Sequence, residues 1–153
     1  MKKYILIGIG NPFLKDDRVG LEVVERAKKL GCPWDVEFVF NVGFELIDKI
    51  LGYDEVILVD ASLYNKSPGN IIELDKTSLL SGNTASVNTH TMSLSNVIDM
   101  GYTLFPEEMP RNIKVFLIEA KEVTSFSYDL SPEVKRAVDE VVNRIKSIWD
   151  NAR

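Results

Sequence analysis

The stretch Gly8-Ile9-Gly10-Asn11-Pro12-Phe13-Leu14-Lys15-Asp16-Asp17-Arg18-Val19-Gly20 decides the fold of this chain. The apolar run from Tyr4 to Ile9, which leads into this stretch, is long enough for one buried strand. The two glycines and Asn-Pro then end that strand, because Gly permits positive φ and Pro lacks a backbone donor. An apolar pattern of helical spacing begins after the acids, at Val19. The sequence therefore places Asp16 and Asp17 where the exit loop of a strand meets the start of a helix.

The adjacent acids Asp16 and Asp17 are the first candidate site residues. A carboxylate at this position is favoured by the partial positive charge of the helix N-terminus and points toward the carboxyl edge of the sheet. The alternative is that either residue only caps the helix, because Asp is a common N-cap residue. Two adjacent acids exceed what one cap needs, so the pair also indicates a functional site.

Length, charge and cysteine content restrict the class of protein. The 153 residues predict a single domain over 1–153. A net charge of −5 without a Lys/Arg cluster argues against nucleic-acid binding. The one cysteine, Cys32, rules out an internal disulfide and a Cys-based zinc site. No apolar stretch approaches the ~20 residues of a membrane span, and the start lacks a signal-peptide cleavage site. We expect a soluble, cytoplasmic protein that binds neither nucleic acid nor membrane.

Apolar strands and amphipathic helices alternate along the chain. The patterns predict helices over 18–30 and 43–51, from 94 to about 101, and from Ser131 onward, with 18–30 and 131–150 the longest. Ser131 is the expected N-cap of the last helix, with proline in its first turn. Range 76–88 is polar and weakly patterned. The predicted strands are Tyr4–Ile9, 36–41, 56–59, 71–74 and 115–118. This alternation predicts an α/β fold, a three-layer α/β/α sandwich with a twisted, mostly parallel sheet of about five strands.

Polar residues at the carboxyl ends of such strands are the ones to examine for a site. Asp60 ends the strand 56–59, and His90, the only histidine, lies in a polar loop just before a helix. One imidazole and two carboxylates at one edge suit a divalent transition metal such as nickel or zinc. Taken singly, His90 is more often a surface or capping histidine, and Asp60 a turn acid. Their joint placement with the acid pair favours the functional interpretation.

Two other functions fit parts of the pattern. Gly8-x-Gly10 after a strand suggests dinucleotide binding, but Phe13 replaces the third glycine and the two acids would repel a pyrophosphate. A receiver domain of two-component signalling also has an acidic pair, a strand-ending aspartate and a lysine, a set that Asp16, Asp17, Asp60 and Lys121 imitate. In a receiver, however, the acids follow the strand directly, whereas here residues 8–15 intervene, and His90 is left unexplained.

Several segments, in order along nearly the whole chain, resemble motifs of the hydrogenase maturation endopeptidases. These proteases remove the C-terminal extension from the large subunit of nickel–iron hydrogenases. The opening stretch 8–20 resembles the family's first motif, and Ile57-Leu58-Val59-Asp60-Ala61 its second acidic motif. Thr89-His90-Thr91-Met92-Ser93-Leu94 is similar to the Thr-His-x-x-x-Leu motif, as in the protease for formate-linked hydrogenase. Pro68-Gly69 with the following strand, and Leu130-Ser131-Pro132-Glu133-Val134, resemble two further segments.

The resemblance implies that nickel already inserted in the substrate is held by Asp17, Asp60 and His90. The metal then belongs to the hydrogenase large-subunit precursor, with zinc or cadmium able to replace it in crystals. A metal bound in this way polarises a scissile carbonyl or lowers the pKa of a bound water. Asp17 and Asp16 would be the catalytic carboxylates, with Asp16 as the proton acceptor. One alternative is that these three residues only read nickel and another group does the chemistry. Another is that the chain is a non-catalytic, nickel-sensing hydrogenase assembly factor.

One segment departs from the family pattern. After its second strand the family usually has an Asp-Gly-Gly-Thr-type loop that is thought to contact the substrate. This chain has Phe40-Asn41-Val42-Gly43 there, which is shorter and has one glycine. The difference bears on which hydrogenase is served more than on whether the chain is active.

Overall fold

The computed structural model describes residues 1–81 and 93–152. Its strands are β1 (Tyr4–Ile9), β2 (Asp35–Val39), β3 (Glu55–Ser62), β4 (Ile71–Asp75) and β5 (Asn112–Glu119). Its helices are α1 (Val19–Lys29), α2 (Phe44–Ile50), α3 (Lys76–Leu80), α4 (Leu94–Leu104) and α5 (Pro132–Asn151). A single turn of 3-10 helix (Lys15–Arg18) leads into α1.

In this described part of the chain the strands form one sheet in the order β2-β1-β3-β5-β4. The pairs β1–β2, β1–β3 and β3–β5 are parallel, and only the edge strand β4 runs antiparallel to its neighbour β5. The carboxyl ends of β1, β3 and β5 therefore lie side by side along one edge. The prediction of an α/β fold with a mostly parallel, five-stranded sheet is confirmed.

Helices cover both faces of the sheet. On one face, α1 and α5 pack against a core that includes Leu6, Val59 and Phe116. On the other face, α2, α3 and α4 pack against residues such as Ile7 and Leu58. Side chains alternate between the two faces along each strand, as expected for strands buried on both sides. No helix among residues 1–81 and 93–152 is long and apolar enough to cross a membrane.

Several predicted boundaries shift in the structure. Strand β2 ends at Val39, two residues early, because Phe40 and Asn41 turn out into solvent. Strand β3 continues through Asp60 to Ser62. The weakly patterned range 76–88 begins with the short helix α3, which Asp75 caps by accepting a hydrogen bond from the Ser78 N–H. Helix α5 is the longest, but α1 is no longer than α4, since each has 11 residues.

Two glycines bring the 3-10 turn and α1 against the ends of β1 and β3. A Cβ atom on Gly10 would lie 2.1 Å from the Asp17 carbonyl oxygen. A Cβ atom on Gly20 would lie 2.2 Å from the carbonyl oxygen of Val59. Only glycine permits these backbone contacts without displacing the helix. The glycine spacing of the opening stretch therefore fixes where Asp16 and Asp17 lie relative to the sheet.

Candidate functional site

Four carboxylates are buried at the carboxyl edge of the sheet. Asp16, Asp17, Asp60 and Glu119 are 0%, 4%, 2% and 2% exposed, respectively. Asp16 and Asp17 lie on the 3-10 turn that follows β1, Asp60 lies near the end of β3, and Glu119 is the last residue of β5. Burying a carboxylate is costly unless hydrogen bonds satisfy it. Concentrating them at one edge therefore requires a structural or chemical reason for each.

Asp17 holds the loop that leaves β1 through one side-chain hydrogen bond in the described part of the chain. Its Oδ2 accepts a hydrogen bond from the Asn11 N–H at 2.9 Å. Leu14 and Arg18, not the two acids, occupy the N-cap positions of the 3-10 turn and α1, and neither makes a side-chain cap hydrogen bond. The capping alternative is thus not what the structure shows. The 3-10 turn that carries Asp17 also packs against β3.

Asp16 accepts four hydrogen bonds, and both of its carboxylate oxygens take part. Its Oδ2 accepts hydrogen bonds from the Lys121 N–H (2.9 Å), the Glu122 N–H (3.0 Å) and the Ser131 hydroxyl (2.8 Å). Its Oδ1 accepts a fourth from the Ser131 N–H at 2.7 Å. The hydroxyl of Ser131 therefore binds Asp16 and does not cap α5, although Ser131 occupies the N-cap position. These contacts tie the 3-10 turn to the segment between β5 and α5.

Asp60 lies within β3, on the face that carries Leu58 two residues earlier. That face packs against α2, α3 and α4. Asp60 Oδ1 accepts a hydrogen bond from the Ala61 N–H at 2.8 Å. Because β3 is next to β1 in the sheet, Asp60 comes to the same edge as the acid pair.

Glu119 was not singled out by the sequence analysis. It pairs in register with Ser62 across β3 and β5 and accepts a hydrogen bond from the Ser62 hydroxyl at 3.0 Å. Both of its carboxylate oxygens lie 3.0 Å from the Tyr64 N–H. Glu119 thereby fixes the loop that follows Asp60. The signal that identified Asp60, a polar residue directly after a buried apolar run, was equally present here.

The negative charge at this edge of the sheet affects the pKa of Tyr64. Its ring is half-buried and packs against the core on the α2–α4 side. Burial raises the pKa of the Tyr64 hydroxyl, and the carboxylates of Asp60 and Glu119 raise it further. The direction of this shift in pKa agrees with the concentration of carboxylates at this edge of the sheet.

The third predicted metal ligand, His90, lies outside the described residues. Within residues 1–81 and 93–152, no three His, Cys, Asp or Glu side chains are arranged to hold a metal ion. Ser93, three positions after His90, is the N-cap of α4, and its hydroxyl accepts a hydrogen bond from the Asn96 N–H. Helix α4 belongs to the layer that Asp60 faces.

The receiver interpretation finds no support in these contacts. The Lys121 ammonium pairs with Glu133 at 3.0 Å, in the first turn of α5. Lys121 contacts the acid pair only through its backbone N–H, which donates to Asp16. The sheet also ends in an antiparallel strand, whereas the receiver fold has five parallel strands in the order 2-1-3-4-5.

Comparison with known proteins finds matches to a single family. Residues 41–148 match the family model of the hydrogenase maturation proteases. A curated protein of Methanocaldococcus jannaschii is 28% identical over 94% of each chain, and its name assigns it, provisionally, to the same proteases.

Solved structures give the same result for the fold. The hydrogenase maturating endopeptidase HybD from E. coli superposes with a TM-score of 0.80 at 20% identity, over 98% of this chain and 93% of that one. HybD from Thermococcus kodakarensis gives 0.78 at 22% identity, over 96% and 99%. The maturation protease HycI from the same organism gives 0.75 at 24% identity, over 97% and 93%.

Proposed function

Since the chain belongs to the hydrogenase maturation protease family and is by that membership a protease, we propose that it removes the C-terminal extension from a nickel–iron hydrogenase large-subunit precursor. The observation that carries the proposal is the burial of Asp17, on the 3-10 turn after β1, and of Asp60, near the end of the neighbouring strand β3. Buried charges in proteins are paired, hydrogen-bonded or bound to a metal ion, and a cation held by Asp17 and Asp60 would supply such a pairing. The precursor, with nickel already inserted, supplies such a cation as part of the substrate.

Asp17, Asp60 and His90 are the proposed contacts to that nickel. Two carboxylates and one imidazole form a donor set that nickel accepts, and too few donors to hold the ion tightly without the precursor's own ligands. Asp60 faces the layer that contains α4, and His90 precedes the N-cap of α4 by three positions. Requiring the metal for binding would restrict cleavage to precursors that already hold it. Zinc and cadmium, which accept similar donors, are the expected substitutes in crystals.

Peptide hydrolysis needs a polarised carbonyl, a water nucleophile and a route for its proton. A divalent ion beside the scissile bond withdraws electrons from the carbonyl carbon and lowers the pKa of a bound water. We assign Asp17, which accepts one hydrogen bond from the Asn11 N–H, as the carboxylate that acts at that ion. The role of Asp16 as proton acceptor stays a prediction, and its four hydrogen bonds favour a positioning role instead.

The test mixes the purified protein with a large-subunit precursor, with and without inserted nickel, and follows loss of the tail by mass spectrometry. We expect cleavage only of the nickel-loaded precursor and none with His90→Ala. Normal processing by His90→Ala would exclude the metal contact. Cleavage that does not depend on nickel would show that the metal is not the recognition signal. Tight binding of the loaded precursor without any cleavage would instead indicate the non-catalytic assembly factor.

A further inference from the structure

Three large aromatic side chains stand out from the protein beside the buried acids. Phe13, Phe126 and Tyr128 are 54%, 87% and 67% exposed, and we call them the aromatic ridge. Phe13 lies in the loop after β1, and the other two lie in the segment between β5 and α5. The rings of Phe13 and Tyr128 meet edge to face, with centroids 6.2 Å apart. The ridge therefore belongs to two loops that are distant in sequence and joined in space.

Backbone contacts hold these two loops together. Leu14 and Phe126 form an isolated antiparallel bridge. The Ser127 N–H donates to the Phe13 carbonyl at 3.0 Å, and the Lys15 N–H donates to the Ser125 carbonyl at 3.1 Å. From α1's side, the Arg18 guanidinium donates to the Tyr128 carbonyl at 2.7 Å. The ridge is thus a fixed feature of the surface, carried on hydrogen-bonded backbone.

The buried acid pair fastens both loops of the ridge. Asp17 accepts the hydrogen bond of Asn11, two residues before Phe13. Asp16 binds the backbone of Lys121 and Ser131, which lie on either side of Phe126 and Tyr128 in the sequence. Both loops of the aromatic ridge are therefore hydrogen-bonded to the acid pair, one loop to each acid.

An exposed aromatic group that is already held in place is a favourable contact for a polypeptide. Solvent-exposed apolar surface gains free energy when a partner covers it, and clustered apolar patches on monomers often mark interaction sites. Aromatic anchors account for much of the binding energy in protein interfaces. Because backbone contacts already order the ridge, binding there loses little further conformational entropy.

We infer that the aromatic ridge is the docking surface for the hydrogenase precursor, and that it receives apolar side chains near the scissile bond. This inference rests on the proposed function. The occupant is the precursor for two reasons. The precursor carries the cationic metal centre that Asp17 and Asp60 complement in charge, and both loops of the ridge are hydrogen-bonded to the acid pair Asp16 and Asp17. The ridge thus supplies affinity for the polypeptide, while the carboxylates read its metal.

The test compares processing kinetics of the full-length wild type with those of Phe126→Ala and Phe126→Ala/Tyr128→Ala. For the single variant we expect KM for the nickel-loaded precursor to rise about tenfold with kcat within about twofold, and a larger rise for the double variant. Phe105→Ala is the matched control, because Phe105 is an exposed phenylalanine just after α4, at the opposite edge of the sheet. Its KM should not change. Thermal unfolding should be unaffected by Phe126→Ala, since that ring is almost fully exposed.

The outcomes separate the ridge from the proposed function. An unchanged KM for both ridge variants, with normal cleavage, overturns the ridge and leaves the protease activity standing. Absence of cleavage by the wild type, with precursor binding that Phe126→Ala weakens, supports the ridge and overturns the catalytic proposal. A wild-type dimer in sedimentation that Phe126→Ala converts to monomer would show that a second copy of this chain occupies the ridge, and would overturn the inference.

Discussion

The two edges of the sheet, at the carboxyl and amino ends of its parallel strands, differ in whether their charged groups are buried or exposed. At the carboxyl edge, four carboxylates are buried and each receives hydrogen bonds from the protein. At the amino edge, a cavity of about 600 Å³ is lined by residues that include Glu55, Lys76 and Lys114. There Lys76 stacks on the Tyr102 ring at 4.4 Å, and Lys114 pairs with Glu73 at 3.7 Å on the surface. Exposed pairs of this kind contribute little. Buried charge, and not open space, distinguishes the edge that carries the proposed site.

The largest expected loss of processing rate is for a substitution of Asp17, at the carboxyl edge. Asp17→Asn should reduce the processing rate by at least about a thousandfold, because an amide contacts nickel far more weakly than a carboxylate does. The amide oxygen can still accept the hydrogen bond of Asn11, so the fold should be retained. The measurement is the rate of tail loss from the nickel-loaded precursor.

Asp54→Asn is the matched control for this substitution. Asp54 Oδ2 also accepts a single backbone hydrogen bond, from the Lys3 N–H at 2.7 Å, but at the amino edge. Its processing rate should equal that of the wild type. Equal losses in Asp17→Asn and Asp54→Asn would mean that the two edges do not differ in function.

Asp16 separates positioning from chemistry. Asp16→Ala removes four hydrogen bonds. It leaves the buried N–H and hydroxyl of Ser131, and the part-buried N–H groups of Lys121 and Glu122, without this acceptor. We expect the free energy of unfolding to fall by about 3–5 kcal/mol. Ser131→Ala, which removes one donor and leaves the carboxylate with three, should cost about 1 kcal/mol. Urea denaturation measures both.

Processing by the folded fraction gives the second readout for Asp16. Asp16→Asn should slow cleavage less than Asp17→Asn does, because only the second acid is assigned to the nickel. The reverse order would assign the metal contact to Asp16 and contradict the positioning role that its hydrogen bonds indicate.

The sequence predicted which edge of the sheet carries the acidic residues, but it did not predict the different roles of Asp16 and Asp17. Local patterns sufficed for the strands and for the placement of Asp16, Asp17 and Asp60 at their ends. They did not distinguish the two acids, because the partners of Asp16 lie 105 to 115 positions away. Contacts of that range depend on how the segment after β5 folds back, which no local period encodes. The same long-range contact diverted the Ser131 hydroxyl from its expected role as a helix cap.

The sequence did not predict the aromatic ridge, for a related reason. Phe13 and Phe126 are apolar residues in polar surroundings, and a pattern argument assigns such residues to the core by default. In the structure their two loops pair through backbone contacts, and both rings are exposed to solvent. Glu119, in contrast, ended an apolar run just as Asp60 did and was accessible to the same argument.

A smaller effect concerns pH and the loop that carries the ridge. Glu122 accepts hydrogen bonds from the Thr124 hydroxyl and from the N–H groups of Thr124 and Ser125. These lower the pKa of Glu122 from 4.5 to about 2. A lowered pKa means that the stabilisation is present above the unfolded value of 4.5 and is lost as pH falls toward about 2.

Glu122→Gln tests this assignment through its pH profile. The wild type should unfold at a higher temperature than the variant at pH 6, and the difference should shrink steadily between pH 4.5 and 2. Thermal melts across that range measure it. A difference that stays constant down to pH 2 would show that the charge of Glu122 does not order the loop.

The smallest effect is predicted at the amino edge, where Arg111 lines the cavity of about 600 Å³. Its guanidinium is exposed, and a polar cleft with a cation is often taken for a binding site. Arg111 is nevertheless held by its backbone, which donates to the Asp54 carbonyl at 2.9 Å, and that bond survives truncation of the side chain. Arg111→Ala should therefore change the free energy of unfolding by no more than about 0.5 kcal/mol, the usual range for a surface residue. Processing of the nickel-loaded precursor should stay within about twofold of wild type, because this edge is opposite the ends of β1 and β3 and contributes no buried charge. A loss of processing in Arg111→Ala with unchanged stability would mean that the precursor reaches across to the amino edge, and that burial of charge alone does not delimit the site.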